Sequence, residues 1–178
     1  MIFGHDTEAA LLSAVELTNS ADDPQELATP ATLSDFYERH RYTGRHDGTR
    51  RELAEVLALR PVLRELLTSS RDDAVGIVNA MLADAAAIPQ LVRHGDEDWH
   101  IHATAADSPL ATRIVVETAM AMVDLIRTDE LSRIDICADE ACDRLVLDLS
   151  RNRSKRFCST TCGNRNAVAA YRARQRVE

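Results

Sequence analysis

Apolar residues recur at helical spacing from Ala10 to Ile126, and the period shortens to two only near Trp99. Ala10, Leu11, Ala14, Val15 and Leu17 share one face of a first helix, for which Asp6 or Thr7 is the expected cap. Asn19 to Ala31, with Pro24, Pro30 and small polar residues, reads as a loop. A short helix opens at Ser34–Tyr37 and ends before Gly44. A long helical pattern follows from Thr49 to Leu67, with Leu53, Val56, Leu57, Leu63, Leu66 and Leu67 inward, and Pro61 must kink or divide it. Another begins at Asp72 or Asp73 and reaches Ala87, with Val75, Val78, Met81 and Leu82 as its core face. Beyond a polar turn around Gly95, Trp99–Ala103 alternates as a strand, with Leu91–Val92 as candidate partner. Asp107 or Ser108 then caps a helix from Pro109 to Ile126, with Pro in its first turn. It is apolar except for a stripe of Arg113, Glu117 and Asp124, so it is the expected central helix of the body.

Thr128–Ser132 reads as a boundary, after which the pattern changes. Ile134 and Ile136 alternate into Cys137, and Leu145, Leu147 and Leu149 alternate after Cys142, as in a hairpin whose turn presents two thiols. Cys158 and Cys162 fall one helical turn apart if a helix starts near Ser159, itself a good N-cap. No other cysteine occurs in the chain. Knuckle, hairpin and cysteines entering a helix are the parts of a treble-clef-like module, with Cys137, Cys142, Cys158 and Cys162 as ligands of one structural zinc. Two disulfides or unrelated buried thiols are the alternatives; catalytic zinc is disfavoured, because four protein thiolates leave no position for water. The expected fold is therefore mainly α: a helical N-terminal domain with a short β-hairpin over residues 1–130, and a zinc module of hairpin and helix over 131–178.

Charge adds a partner to this picture. At 178 residues, 45% of them hydrophobic, the chain can bury one domain and a small module. Residues 144–178 carry nine Lys/Arg against two acids, a net +7, which leaves −15 on residues 1–143 of a chain whose total is −8. A basic end on an acidic body fits a polyanion partner. Arg151, Arg153, Lys155 and Arg156 form a loop between hairpin and helix; Arg165, Arg172 and Arg176 share a helix face, and Val168 and Tyr171 are placed to pack back on the hairpin. A cationic loop beside a helix N-terminus is a phosphate site, and DNA is the favoured partner. Asp135, Asp139, Glu140 and Asp143 surround the first cysteine pair, so contact belongs to loop and helix rather than knuckle; Arg165, next to Cys162, is also placed to neutralise the cluster. RNA binding and protein docking by the same module are the rivals, with Phe157 and Tyr171 the only aromatics there for stacking. A homodimer reading paired half-sites is consistent with one small module per chain.

The helical domain offers two further candidates. Glu16 and Asn19 lie one helical turn apart, and Arg60 or Arg64 could pair with Glu16, either as a buried network or as a small-molecule pocket. His100 and His102 point to one face of a presumed strand with His94 in reach, either as a ligand site or as a solvent-facing pair. No phosphate loop and no nucleophile–His–acid set occurs, and the chain is not expected to be an enzyme. Met1 to Asp6 has no basic stretch leading into an apolar run, and Ile114–Ile126 is too short and too often charged to cross a bilayer, so a cytoplasmic protein without membrane contact is expected.

Cys137-x4-Cys142, Leu147-Asp148-x-Ser150-Arg151-Asn152-x-Ser154-x-Arg156-Phe157-Cys158-Ser159, Cys162-Gly163-Asn164-Arg165 and Tyr171-Arg172-x-Arg174 together resemble the CGNR zinc finger over about residues 130–176. Val15-Glu16-Leu17-x-Asn19, Leu59-Arg60-x3-Arg64, Asn79 and the Trp99 strand resemble the ABATE domain that precedes such fingers, with Glu16 standing where that domain carries Asp and Leu147 where the finger carries an aromatic. The resemblance implies a helical domain followed by a zinc finger, in bacterial proteins proposed to be stress-induced transcription regulators.

Overall fold

The computed structural model describes residues 3–23, 25–93 and 99–175. Helices α1 (His5–Asn19), α2 (Pro30–Arg39), α3 (Arg50–Leu57), α4 (Arg60–Thr68) and α5 (Arg71–Asp84) precede an antiparallel hairpin of β1 (Gln90–Val92) and β2 (His100–His102), and α6 (Leu110–Thr128) completes the body. A 3-10 turn, Leu131–Arg133, leads into the antiparallel pair β3 (Ile134–Ile136) and β4 (Leu145–Leu147) and then α7 (Thr160–Gln175). The fold is mainly α with two small hairpins, as the periodicity implies.

Helix α6 is central: it packs on α1, α3 and α5. Its residues Ala119, Met122 and Leu125 join Leu11, Ala14, Leu66 and Val78 in one core, while Leu110 and Ile114 join Leu17, Leu33, Phe36 and Val56 in a second. The polar stripe of α6 is not a solvent face. Arg113 is buried and donates to the carbonyls of Thr43, Arg45 and Ser108, stitching the loop after α2 to the body, and Glu117 and Asp124 are half-buried. Sequence spacing reveals the stripe; which side of α6 it occupies depends on neighbours far away in the chain.

Local chemistry sets several boundaries differently from the sequence expectation. Gly4, rather than Asp6 or Thr7, precedes α1, and the Asp6 carboxylate accepts the Thr7 N–H inside the first turn. Helix α2 begins at Pro30 rather than near Ser34, because Thr29 and Thr32 form a reciprocal capping box and Pro fits the first turn. Pro61 divides the long pattern into α3, capped by Thr49, and α4. Ser70 caps α5, and Val75 points outward because α5 buries Ala74, Val78 and Met81 instead. His100 and His102 are half-buried while Ile101, between them, is exposed, the reverse of a solvent-facing pair. His94 lies outside the described residues.

Among the described residues, Gly44 sits at the turn where both backbone and space demand glycine. Its φ is +86°, and a Cβ there would stand 2.3 Å from the Ala106 carbonyl oxygen, which accepts the Arg45 N–H at 2.8 Å. Gly48, φ +61°, faces open space. Gly44→Ala should therefore cost at least ~1–3 kcal/mol in strain alone, lowering the thermal midpoint by several degrees, and should cost more than Gly48→Ala in the same melting experiment.

The hydrophobic core runs across the boundary seen in sequence. Ile134, Leu145 and Leu147 belong to the same buried cluster as α1 and α6. The alternation in β4 divides its side chains: Leu145 and Leu147 face the body, and Val146 faces the cysteines.

Candidate metal centre and nucleic-acid interface

The hairpin brings Cys137 to the end of β3 and Cys142 to the return loop, where the Cys142 N–H donates to Asp139 O and the Cys137 N–H to Arg144 O. Ser159 caps α7, its Oγ accepting the Cys162 N–H at 3.3 Å, so Cys158 lies just before the helix and Cys162 in its first turn. The four Sγ atoms all lie within 4.8 Å of one another. Cys142–Cys158 and Cys158–Cys162 sulfur separations are 3.6 and 3.7 Å. A tetrahedron with Zn–S bonds of roughly 2.3 Å has edges of about 3.8 Å, so the donors match zinc, whereas a disulfide needs about 2.05 Å. All four cysteines are free.

The donor set makes the same case chemically. As bare thiols, burial and the neighbouring thiols push Cys158 up to about 12. Burial also opposes ionisation of Cys137, but N–H donors from Cys158 and Asp139 outweigh it and hold that thiol below its ordinary value. Four thiolates gathered here require a bound cation to offset their mutual repulsion. The finger has little else to hold it: its own core is Cys137, Val146 and Cys162, with Phe157, Cys142 and Cys158 at the margin. Zinc would draw in all four sulfurs and so take the place of a core.

Asp148 builds the basic loop. Its buried carboxylate accepts the N–H groups of Ser150 at 2.8 Å and Lys155 at 2.7 Å, tying the two ends of the loop together. Burial opposes its ionisation, yet these bonds hold its carboxyl below the usual carboxylate range. Arg133, also buried, donates to the carbonyls of Asp148 and Ser150 from behind.

The seven basic residues singled out in sequence separate in structure. Arg151, Lys155, Arg156 and Arg172 are exposed and make no ion pair among the described residues. Arg153 is exposed but forked onto both oxygens of Glu130 at 2.8 and 2.7 Å, in a left-handed backbone conformation with φ +50°. Arg165 pairs with the buried Asp139 at 3.1 Å, so it answers the acidic knuckle. Arg176 lies outside the described residues. Val168 and Tyr171 do not pack back on the hairpin: they are 48% and 58% exposed, because α7 leaves the finger after its first turn and buries only Cys162. Part of the α7 N-terminus is also spent, with the Cys158 N–H on Cys137 Sγ and the Cys162 N–H on its cap, which leaves less of it for a phosphate.

Glu16, Asn19, Arg60 and Arg64 do not converge on one pocket. Glu16 and Asn19 line a groove of about 410 Å³ beside β4, and Arg60 and Arg64 stand apart from it. Glu16 pairs with Arg39 and His40 instead of Arg60 or Arg64, and the His40 hydrogen bond, despite partial burial, holds its carboxyl below the usual range. Arg60 donates to Ser20 Oγ, and Arg64 to the Asp143 carbonyl at 2.7 Å. Asn19 reaches furthest: its Nδ2 donates to Leu145 O at 2.9 Å and its Oδ1 accepts Leu145 N–H at 2.7 Å, completing the free edge of β4 as a neighbouring strand would. Arg144 adds bonds to Asn19 O and Glu26. These residues seam the finger to the body; the sequence signal was the Leu17-x-Asn19 ending of α1, whose partner lies 126 residues away.

A helical body joined to a four-cysteine zinc finger defines the class of protein. The CGNR zinc finger model matches residues 133–175, and the ABATE model, whose family is described as "putative stress-induced transcription regulator", matches residues 13–129. The chain belongs to the ABATE family and carries, at residues 133–175, a CGNR zinc finger with structural zinc. Neither description names an enzyme. No curated protein matches the chain. No helix among the described residues is long and apolar enough to cross a membrane.

Proposed function

We propose that the chain is a cytoplasmic transcription regulator that binds duplex DNA through its zinc finger. The observation that carries this reading is the cationic surface of the finger: Arg151, Lys155 and Arg156 on a loop held by Asp148, and Arg172 on the exposed C-terminal half of α7. The strongly acidic remainder of the chain repels the phosphate backbone and so favours approach by this face. Cys137, Cys142, Cys158 and Cys162 hold the zinc, which fixes loop and helix relative to one another. Single-stranded RNA is disfavoured, since Phe157 is half-buried against Gly163 and only Tyr171 is available to stack. A second reading, docking of α7 on a protein or on a second copy, is favoured by the exposed Val168 and Tyr171.

Arg151→Ala with Arg156→Ala should reduce the slope of log K against log salt for duplex DNA by about 1.8, roughly 0.9 for each phosphate no longer neutralised, without changing metal content. Titrations at several salt concentrations check this. An unchanged affinity and slope would remove these two side chains from the interface.

A further inference from the structure

One cavity lies wholly in the body, away from the finger. A cleft of about 570 Å³ opens between the N-terminal half of α1, one face of α6 and the β1–β2 hairpin, within the range of small-molecule sites. Val116, Met120 and Ala10 give it apolar walls, and Trp99, 63% exposed, stands at its mouth. Glu117 of α6 lies recessed among them, and its carboxylate accepts no hydrogen bond among the described residues. Arg113, one turn away on the same helix, directs its donors to the carbonyls of Thr43, Arg45 and Ser108. Asp6 and Asp124 line the same cleft and both bond Thr7, at 2.9 and 2.6 Å.

We infer that this cleft binds an organic cation: a protonated primary amine carrying an apolar body. The ammonium seats against Glu117 in the field of Asp6 and Asp124, and the apolar part lies between Met120 and Trp99, whose ring face adds a cation–π contribution. Three carboxylates against the single arginine of the lining, Arg41, disfavour an anion. A metal ion is disfavoured too: among the described residues only the four cysteines gather three or more ligand atoms closely enough, so the carboxylates and the imidazoles of His100 and His102 are too dispersed. Burial, with the neighbouring Asp6 charge, pushes the Glu117 carboxyl up to about 7 against the pull of Arg113 and His100. The inference is independent of DNA binding.

Trp99 is the only tryptophan of the chain, so its fluorescence reports the cleft directly. The test titrates the zinc-loaded protein with phenethylamine, its neutral isostere 2-phenylethanol and the anion phenylacetate at pH 8, with calorimetry in parallel. Phenethylamine should give saturable binding, the alcohol should bind about tenfold or more weaker, and the carboxylate should not saturate. Glu117→Gln should weaken the amine about tenfold or more and leave the alcohol unchanged. The variant should fold at least as well as the parent above pH 7, since it removes an ionised group from an apolar recess. Absence of saturable amine binding, equal or tighter binding of phenylacetate, or an amine affinity unaffected by Glu117→Gln would each overturn the assignment.

Discussion

Cys158→Ser is expected to release the zinc, melt the hairpin and α7, and lower the thermal midpoint of the whole chain. Structural zinc in small modules contributes apparent binding energies of about 10–16 kcal/mol, and this finger has only Val146 and Phe157 besides its sulfurs to replace that. The effect should not stop at the finger. Ile134, Leu145 and Leu147 are buried with Ala14, Met122 and Leu125, and uncovering three such side chains costs about 5–9 kcal/mol at roughly 1.5–3 each. For a chain of this size, even the low end of that range is a fall of about 10–20 °C. Metal analysis by mass spectrometry should find one zinc per chain in the parent and none in the variant, and circular dichroism should show one lowered transition. A helical body melting at the parental temperature after zinc loss would mean that body and finger are energetically separate.

The second large effect is expected at Asn19. Its side chain satisfies both backbone groups of Leu145, a residue 1% exposed at the free edge of β4. Asn19→Ala leaves a buried N–H and a buried C=O unpaired, at about 1–3 kcal/mol each, so about 2–6 kcal/mol in all. Asn19→Asp keeps the acceptor but turns a carboxylate toward the Leu145 carbonyl, and should be no better tolerated. Because Cys142 and the knuckle hang from the same hairpin, zinc should also exchange faster with a competing chelator in both variants. Chemical denaturation and chelator-exchange kinetics measure the two effects; a change under about 0.5 kcal/mol would class Asn19 with ordinary surface substitutions.

The elements themselves were legible in the sequence because their signals are local. The apolar period of α6, the break at Pro61, the start at Thr49 and the alternation into Cys137 each lie within a few residues of what they determine. The cysteine set was legible for the same reason. What failed were statements about which distant element a side chain meets. Glu16 and Arg60 are chemically suited to pair, yet Arg39 and His40 reach Glu16 first and Ser20 occupies Arg60. Val168 and Tyr171 have the spacing of a packed face, but no element among the described residues covers them. The Arg113–Glu117–Asp124 stripe is plain in the sequence, but the loop and the cleft it turns toward are not. Arg153 and Arg165 could not be told from Arg151 or Arg156 by sequence, because their partners, Glu130 and Asp139, are brought to them by the fold.

The finger therefore combines two kinds of arginine. Arg133, Arg153 and Arg165 neutralise acids of the boundary turn and the knuckle and hold the finger's shape. Arg151, Lys155, Arg156 and Arg172 are left exposed without such partners among the described residues. This division gives each group its own experiment: replacing a member of the first should be read in stability, replacing a member of the second in binding.

The most direct measurement is the affinity of the zinc-loaded chain for duplex DNA across a range of salt concentrations. Four neutralised phosphates predict that log K falls with log salt with a slope near −3.6, at roughly 0.9 per phosphate, and that chelation of the zinc abolishes binding. No binding at low salt, or an affinity that ignores both salt and zinc, would contradict the account.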